Sequence, residues 1–256
     1  WLIDWSIARW CWKSSDTPIK PNALEFLKEV IKDSSTIDFV QRATALQTDF
    51  IKNKQLIKVL TAQTITDEIG GKLNLEFHPR PEYSYKYIMN KATKEELDFI
   101  QKKYVDMLDA YVKVYNYLKS TSNILPKNKI EKEILLSLDI TALRAEHRKN
   151  TLSYLIAYRL NKLNKAKNPV QQYLDAAKSV RENALVMVKQ QEQNYRYPVA
   201  SLAAEKKSKT VYNFGYLYPV SNLHFWEREE LQAQNNKWKF YYQNIWDVLK
   251  IIGVKK

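Results

Sequence analysis

Glycine is scarce in this chain: only 4 of 256 residues, well below the usual share of about 7%. Sheets and barrels use glycine for tight turns, bulges and close approaches of backbone, so its scarcity excludes most β-rich architectures and favours long helices with few connections. Cysteine is scarcer still. Cys11 stands alone, so no disulfide can form within the chain and no multi-cysteine metal site exists. A lone cysteine suits a reducing compartment, and it also suits bacterial export, where many proteins simply lack the residue.

The three histidines, His78, His147 and His224, lie far apart and form no H-E-x-x-H or H-x-x-x-H pair, which leaves no metal motif. Neither G-x-G-x-x-G nor G-x-x-x-x-G-K-[ST] occurs, so nucleotide cradling of those kinds is absent and no cofactor is expected. A nucleophilic Cys–His pair would rest on Cys11, which sits among tryptophans without a local signature. Long apolar runs are missing too. No stretch approaches the roughly 18 to 20 residues that span a bilayer.

Positive charge, by contrast, is plentiful, at a formal +13. A polyanion would gain from such a charge only if it were clustered. Of the 41 basic residues nine are Arg and 32 are Lys, and the lysines are spread along the chain, which fits solvated helix faces better than a nucleic-acid footprint.

The chain opens WLIDWSIARWCW, with four Trp in twelve positions and no initiator Met or signal-peptide pattern. That much indole has to pack on something. Residues 1–21 are therefore expected to be a lead-in that packs on the body or on a missing upstream domain, with 22–256 as one helical domain. Asn22 can cap a short helix carrying Leu24, Leu27 and Ile31. Ser34-Ser35-Thr36 precedes a second helix, predicted to run to about Gln63.

Residues 64–92 lose the helical period at Gly70-Gly71 and at His78-Pro-Arg-Pro, which favours extended backbone. Thr93-Lys-Glu-Glu96 is a capping box that opens a helix to about Lys119. A longer helical pattern then runs to about Leu163 and carries Arg144-Ala-Glu-His-Arg148. Asn168-Pro169 caps a helix to about Gln193. After it, residues 194–221 are irregular again, Ser221-Asn222 precedes a helix with His224, Trp226, Arg228 and Glu229, and a last helix from about Asn236 ends at Gly253. No period of 30 to 45 residues recurs. The fold class is all-α: an irregular multi-helix bundle of about six or seven helices with two long aromatic and proline-containing loops.

The two irregular stretches hold three of the four glycines and four of the eight prolines. Segment 194–253 alone carries 13 of the 32 aromatic residues. Long loops on a helical body often carry function, so both are expected to converge with the Arg144–Arg148 turn or the His224 helix into one concave site. His78, Arg80, Glu82 and Tyr83 are its candidates from the first loop; Arg196, Tyr197, Tyr212 and Tyr216 come from the second. Arg144, His147, Arg148, His224, Trp226 and Arg228 come from the helices.

Tyrosine and tryptophan faces suit sugar rings, and Arg and Glu suit hydroxyls or carboxylates. The same residues also serve as plugs for helix ends. No carboxylate pair can be placed for glycosidase chemistry, so catalysis is left open.

The Lys, Asn, Tyr and Ile bias looks like that of an AT-rich genome. The expected function is a helical accessory or C-terminal region of a larger, exported bacterial glycan-handling protein, with the aromatic loops contacting carbohydrate or an adjoining catalytic domain. A helical protein–protein interaction scaffold is the alternative, and a nucleic-acid-binding helical protein is a less favoured third. An extracytoplasmic location is slightly preferred.

Overall fold

A computed structural model describes residues 19–60, 81–192 and 218–235. Among these residues the chain is helical and contains no strand, as the glycine deficit requires. In order come α1 (Ile19–Val30), α2 (Ser34–Gln47) continued by a π-helical turn at Thr48–Asn53, α3 (Ile57–Leu60) and α4 (Pro81–Asn90). Then follow α5 (Lys94–Ile100), a second π-helical stretch at Gln101–Val105, α6 (Asp106–Ser120), α7 (Lys129–Asn164), α8 (Gln171–Glu192) and α9 (Tyr218–Asn235). If each helix that passes through a π turn is counted as one, the described residues hold seven helices of ten residues or more. None of the four glycines falls within them.

The axis of the fold is α7. Its 36 residues reach about 54 Å at 1.5 Å per residue, and α8, α6, α4 and α9 all pack along it. Asn128 starts it by accepting from the Glu131 amide at 2.9 Å, a side-chain cap for one of the orphan donors of a helix N-terminus.

Glu131 itself is fully buried and ties two segments together. Its carboxylate takes the Lys32 amide just past α1 at 3.1 Å, the Asn128 amide group at 2.8 Å and the Lys127 backbone amide. Asn128 meanwhile donates to the Val30 carbonyl at 2.8 Å. One Asn and one Glu thus close the end of α1 against the start of α7.

The capping box at Thr93 forms as its sequence predicts. The Glu96 amide reaches Thr93 Oγ1 at 3.3 Å, and the Thr93 amide reaches Glu96 Oε2 at 2.7 Å. The remaining oxygen of Glu96 accepts from the Tyr87 hydroxyl at 2.6 Å, so the same carboxylate pins α4 to α5.

The main core gathers Phe39, Val40, Leu97, Ile100, Leu108 and Tyr111 with Leu152 and Leu155 of α7. A second, smaller cluster joins Leu136 and Ile140 of α7 to Ala184 and Val188 of α8 and Leu223 and Trp226 of α9.

Six boundaries differ from the sequence reading. Helix α1 already holds Ile19–Pro21, expected in the lead-in, so Asn22 lies inside it rather than capping it, and α2 begins at Ser34 behind an Asp33 cap rather than after Thr36. The helix expected to reach Gln63 breaks at Lys54–Leu56, where Gln55 takes φ 60, a left-handed conformation that ends the helical ladder. Residues 81–90, placed in an irregular stretch, form α4. Pro81 is its first residue, where the missing N–H costs nothing and the fixed φ suits a helix.

Helix α9 starts at Tyr218, three residues before the expected Ser221 cap, and Pro219 is accommodated in its first turn. Helix α8 starts at Gln171 rather than at Pro169. The Trp-rich lead-in up to residue 18 and the helix expected from Asn236 to Gly253 lie outside the described residues.

Candidate functional site

The densest polar constellation among the described residues sits midway along α7. Arg144, His147 and Arg148 are spaced three and four apart, which puts them on one face of a helix. Tyr85 of α4, Arg181 of α8, and Trp226, Glu229 and Glu230 of α9 close over that face. These chains are buried or nearly so: Arg144 is 8% exposed, His147 0%, Arg148 1% and Glu229 4%.

Arg144 grips Glu229 with a two-pronged contact, Nη1 to Oε2 at 2.8 Å and Nη2 to Oε1 at 2.6 Å, the fork geometry that makes Arg–carboxylate pairs strong. Its Nε donates to the Leu60 carbonyl at 3.0 Å. Arg148 repeats the arrangement one turn later. Nε donates to the Val59 carbonyl at 2.9 Å, while Nη1 serves both Glu229 Oε2 at 3.2 Å and the Tyr85 hydroxyl.

The two arginines therefore donate to the Val59 and Leu60 carbonyls of α3. Both guanidiniums also lie over aromatic rings, Arg144 over Trp226 at 5.2 Å and Arg148 over Tyr85 at 5.6 Å.

The protonation of His147 follows from its neighbours. Arg144 Nη1 stands 3.2 Å from His147 Nδ1, and a guanidinium can only donate, so Nδ1 must be the accepting, unprotonated nitrogen. Nε2 then carries the proton and donates it to Glu230 Oε1 at 3.0 Å. The same carboxylate oxygen accepts from Arg181 Nε at 2.8 Å. Burial lowers the His147 pKa below its usual value and Arg144 reinforces this, against the opposing pull of the Glu230 hydrogen bond. The imidazole is neutral, and its ring packs on Trp226 at 5.1 Å.

Burial alone would raise the Glu229 pKa, but Arg144 and Arg148 outweigh it and hold the carboxyl at about 2. Glu230 is also lowered, because its bonds to His147 and Arg181 overcome its burial. The Tyr85 hydroxyl is pushed well above its ordinary value by burial, although Arg148 pulls the other way. Chemically this is a poor acid–base centre. Both carboxylates are held anionic, Glu229 with both oxygens engaged and Glu230 through Oε1, and the one imidazole has a donor facing one nitrogen and an acceptor facing the other. Among the described residues no group of three His, Cys, Asp or Glu side chains could hold a metal ion.

Of the residues that the sequence nominated, the fold brings Arg144, His147, Arg148 and Trp226 together. His78, Arg80, Arg196, Tyr197, Tyr212 and Tyr216 lie outside the described residues, as do the side chains of Glu82, Tyr83, His224 and Arg228. The sequence reading did not include Tyr85, Arg181, Glu229 or Glu230 in the site. Glu229-Glu230 beside Trp226 was a usable signal, two carboxylates on a helix with a buried aromatic stripe. Arg181 carried none, since it follows Val180 in an ordinary amphipathic pattern.

The described residues on either side of 61–80 and of 193–217 meet α7 at different heights. Leu60 and Tyr85 both bond to the arginine turn. Val188 of α8 and Leu223 of α9 belong instead to the cluster around Leu136, about two turns away from Arg144 on α7.

No family model, no curated protein and no solved structure matches this chain. No described helix is long and apolar enough to cross a membrane.

Proposed function

We propose that the chain is a helical protein–protein interaction scaffold. The observation that supports this reading is the closure of its strongest polar constellation: Arg144, His147 and Arg148 are buried and bonded to Glu229, Glu230, Tyr85 and the α3 carbonyls. Such a cluster positions helices and offers a ligand little. Large apolar side chains remain on the surface instead, among them Tyr117 on α6, Leu125 after it, Leu163 at the end of α7 and Val186 on α8. Large exposed apolar side chains of this kind are the material of a docking surface.

A titration of tryptophan fluorescence against neutral and acidic oligosaccharides, a short RNA and a short DNA tests the reading. Silence across the panel, together with recovery of a protein partner by in-cell crosslinking, is the expected result. A saturable response to one sugar class would overturn it.

Carbohydrate contact by the aromatic loops is the second reading. One observation favours it: Leu60 and Tyr85, described residues on either side of the stretch that carries Arg80, both bond to the arginine turn. A saturable sugar response lost in Arg80→Ala would move the assignment there. The nucleic-acid reading predicts binding that weakens steeply with salt as counterions are released.

A further inference from the structure

We infer that the scaffold docks an acidic amphipathic helix in the groove between the end of α6, the first half of α7 and the end of α8. This inference rests on the interaction-scaffold reading and names the chemistry of the partner. The groove has a volume of about 370 Å³, and its floor is apolar: Phe39, Ile124, Leu135, Leu136 and Met187. Leu125, 63% exposed, stands in sequence between the groove residues Ile124 and Pro126.

The rim supplies the charge argument. Lys119 and Lys132 line it, and Asp139 is its one acidic lining residue. Asp139 is already engaged, since its Oδ1 takes the Tyr115 hydroxyl at 2.8 Å and Lys119 Nζ at 2.6 Å. Lys132 and Lys129, three residues earlier on the same side of α7, are exposed and form no ion pair among the described residues. Each stands without a carboxylate although Glu133 is four residues beyond Lys129, the spacing at which a helix pairs opposite charges.

An apolar trough with the unpaired Lys132 on its rim and the unpaired Lys129 a turn before it on α7, in a chain of formal charge +13, complements a helix with an apolar stripe between acidic flanks. A nucleic acid would meet the same cations, but six apolar residues, with Pro126, are the wrong floor for a phosphate backbone.

The experiment uses the full chain and three fluorescein-labelled probes followed by anisotropy. The first is a helical peptide with leucine at heptad positions a and d and glutamate elsewhere, the second the same peptide with lysine for glutamate, and the third poly(U). We expect saturable binding of the glutamate peptide only. Lys129→Glu/Lys132→Glu, both on the surface and checked for helicity by circular dichroism, should weaken it by at least about tenfold, or about 1.4 kcal/mol, and should gain binding of the lysine peptide. Leu135→Glu should weaken it independently.

Failure to bind the glutamate peptide, equal binding of both peptides, or binding unchanged in the double variant would overturn the inference. Binding of poly(U) alone, lost in the double variant, would also overturn it and assign the cations to nucleic acid. If the crosslinked protein partner binds the wild type and the double variant alike, the groove is refuted while the scaffold reading stands.

Discussion

Arg144 and Glu229 are 85 residues apart in sequence and meet through two guanidinium–carboxylate bonds of 2.8 and 2.6 Å in a buried setting. The pair fastens α9, the last described helix, to the middle of α7.

Removing one partner should therefore be expensive. Glu229→Gln leaves two buried guanidiniums without their shared counter-charge, and a loss of about 3 to 5 kcal/mol is expected for breaking a buried pair from one side. Arg144→Met combined with Glu229→Met should cost less than the sum of the two single changes, with a coupling above about 1 kcal/mol. Urea unfolding of the four members of the cycle measures it. Additive losses would show that the contact does not act as a pair.

Acid should loosen the same junction in two steps. The His147 pKa is lowered in the fold from 6.5, so as pH falls through about 6.5 the unfolded chain takes up a proton that the folded chain refuses, and stability drops. Glu229 is lowered from 4.5 to about 2. Its contribution is fully present above 4.5 and is lost as pH falls from there towards 2. His147→Gln should flatten the upper step and leave the lower one. Melting temperature recorded against pH for the wild type and this variant checks both limbs, and an unchanged upper step in the variant would assign that step to another group.

Tyr111 and Tyr115 stack at 6.3 Å on successive turns of α6 yet should respond oppositely to loss of the hydroxyl. Tyr115 donates to Asp139 at 2.8 Å. The Tyr111 hydroxyl is buried without completing a hydrogen bond, and its pKa is pushed up to about 12 chiefly by burial, against the nearby Gln47 side chain. Tyr115→Phe is expected to cost about 1 to 2 kcal/mol, whereas Tyr111→Phe should be neutral or stabilising by up to about 1 kcal/mol. Chemical denaturation of the two variants side by side decides it.

Lys165 closes α7 at φ 51, and Gln55 takes φ 60 between the π turn and α3. Both are non-glycine residues in the left-handed region, where a Cβ costs about 1 kcal/mol. Lys165→Gly should gain about 0.5 to 1 kcal/mol, because relief of strain exceeds the added freedom of the unfolded chain. Gln55→Gly should do the same. A fall in stability at either site would mean that its side chain contributes more than its backbone strain costs.

Local rules carried far where local energies dominate. Thr93 and Glu96 satisfy each other within one turn, so the capping box was legible in four residues. The 3.6-residue spacing of Leu97, Ile100, Tyr104 and Leu108 and of Leu152, Leu155 and Ile156 marked the buried sides of the helices that became the core. The break at Gln55 was not legible. No glycine or proline marks it, and Gln55 is itself exposed while its neighbour Leu56 is buried, a contrast that appears only once the chain is folded. Helix α4 was hidden for the opposite reason: prolines at 79 and 81 read as a breaker, although the second is a helix's first residue.

By itself the sequence determined that the chain is all-α, through glycine scarcity, helical periodicity and caps, all of them decided within a few residues. It also singled out Arg144, His147, Arg148 and Trp226. Only the tertiary structure decided what those residues do. Whether an arginine faces water, a ligand or a glutamate 85 positions away depends on how α4, α8 and α9 are laid against α7, and the free energy of that pairing comes from removing both charges from water together. Periodicity specifies which face of a helix is buried, and the neighbouring helix specifies what that face meets.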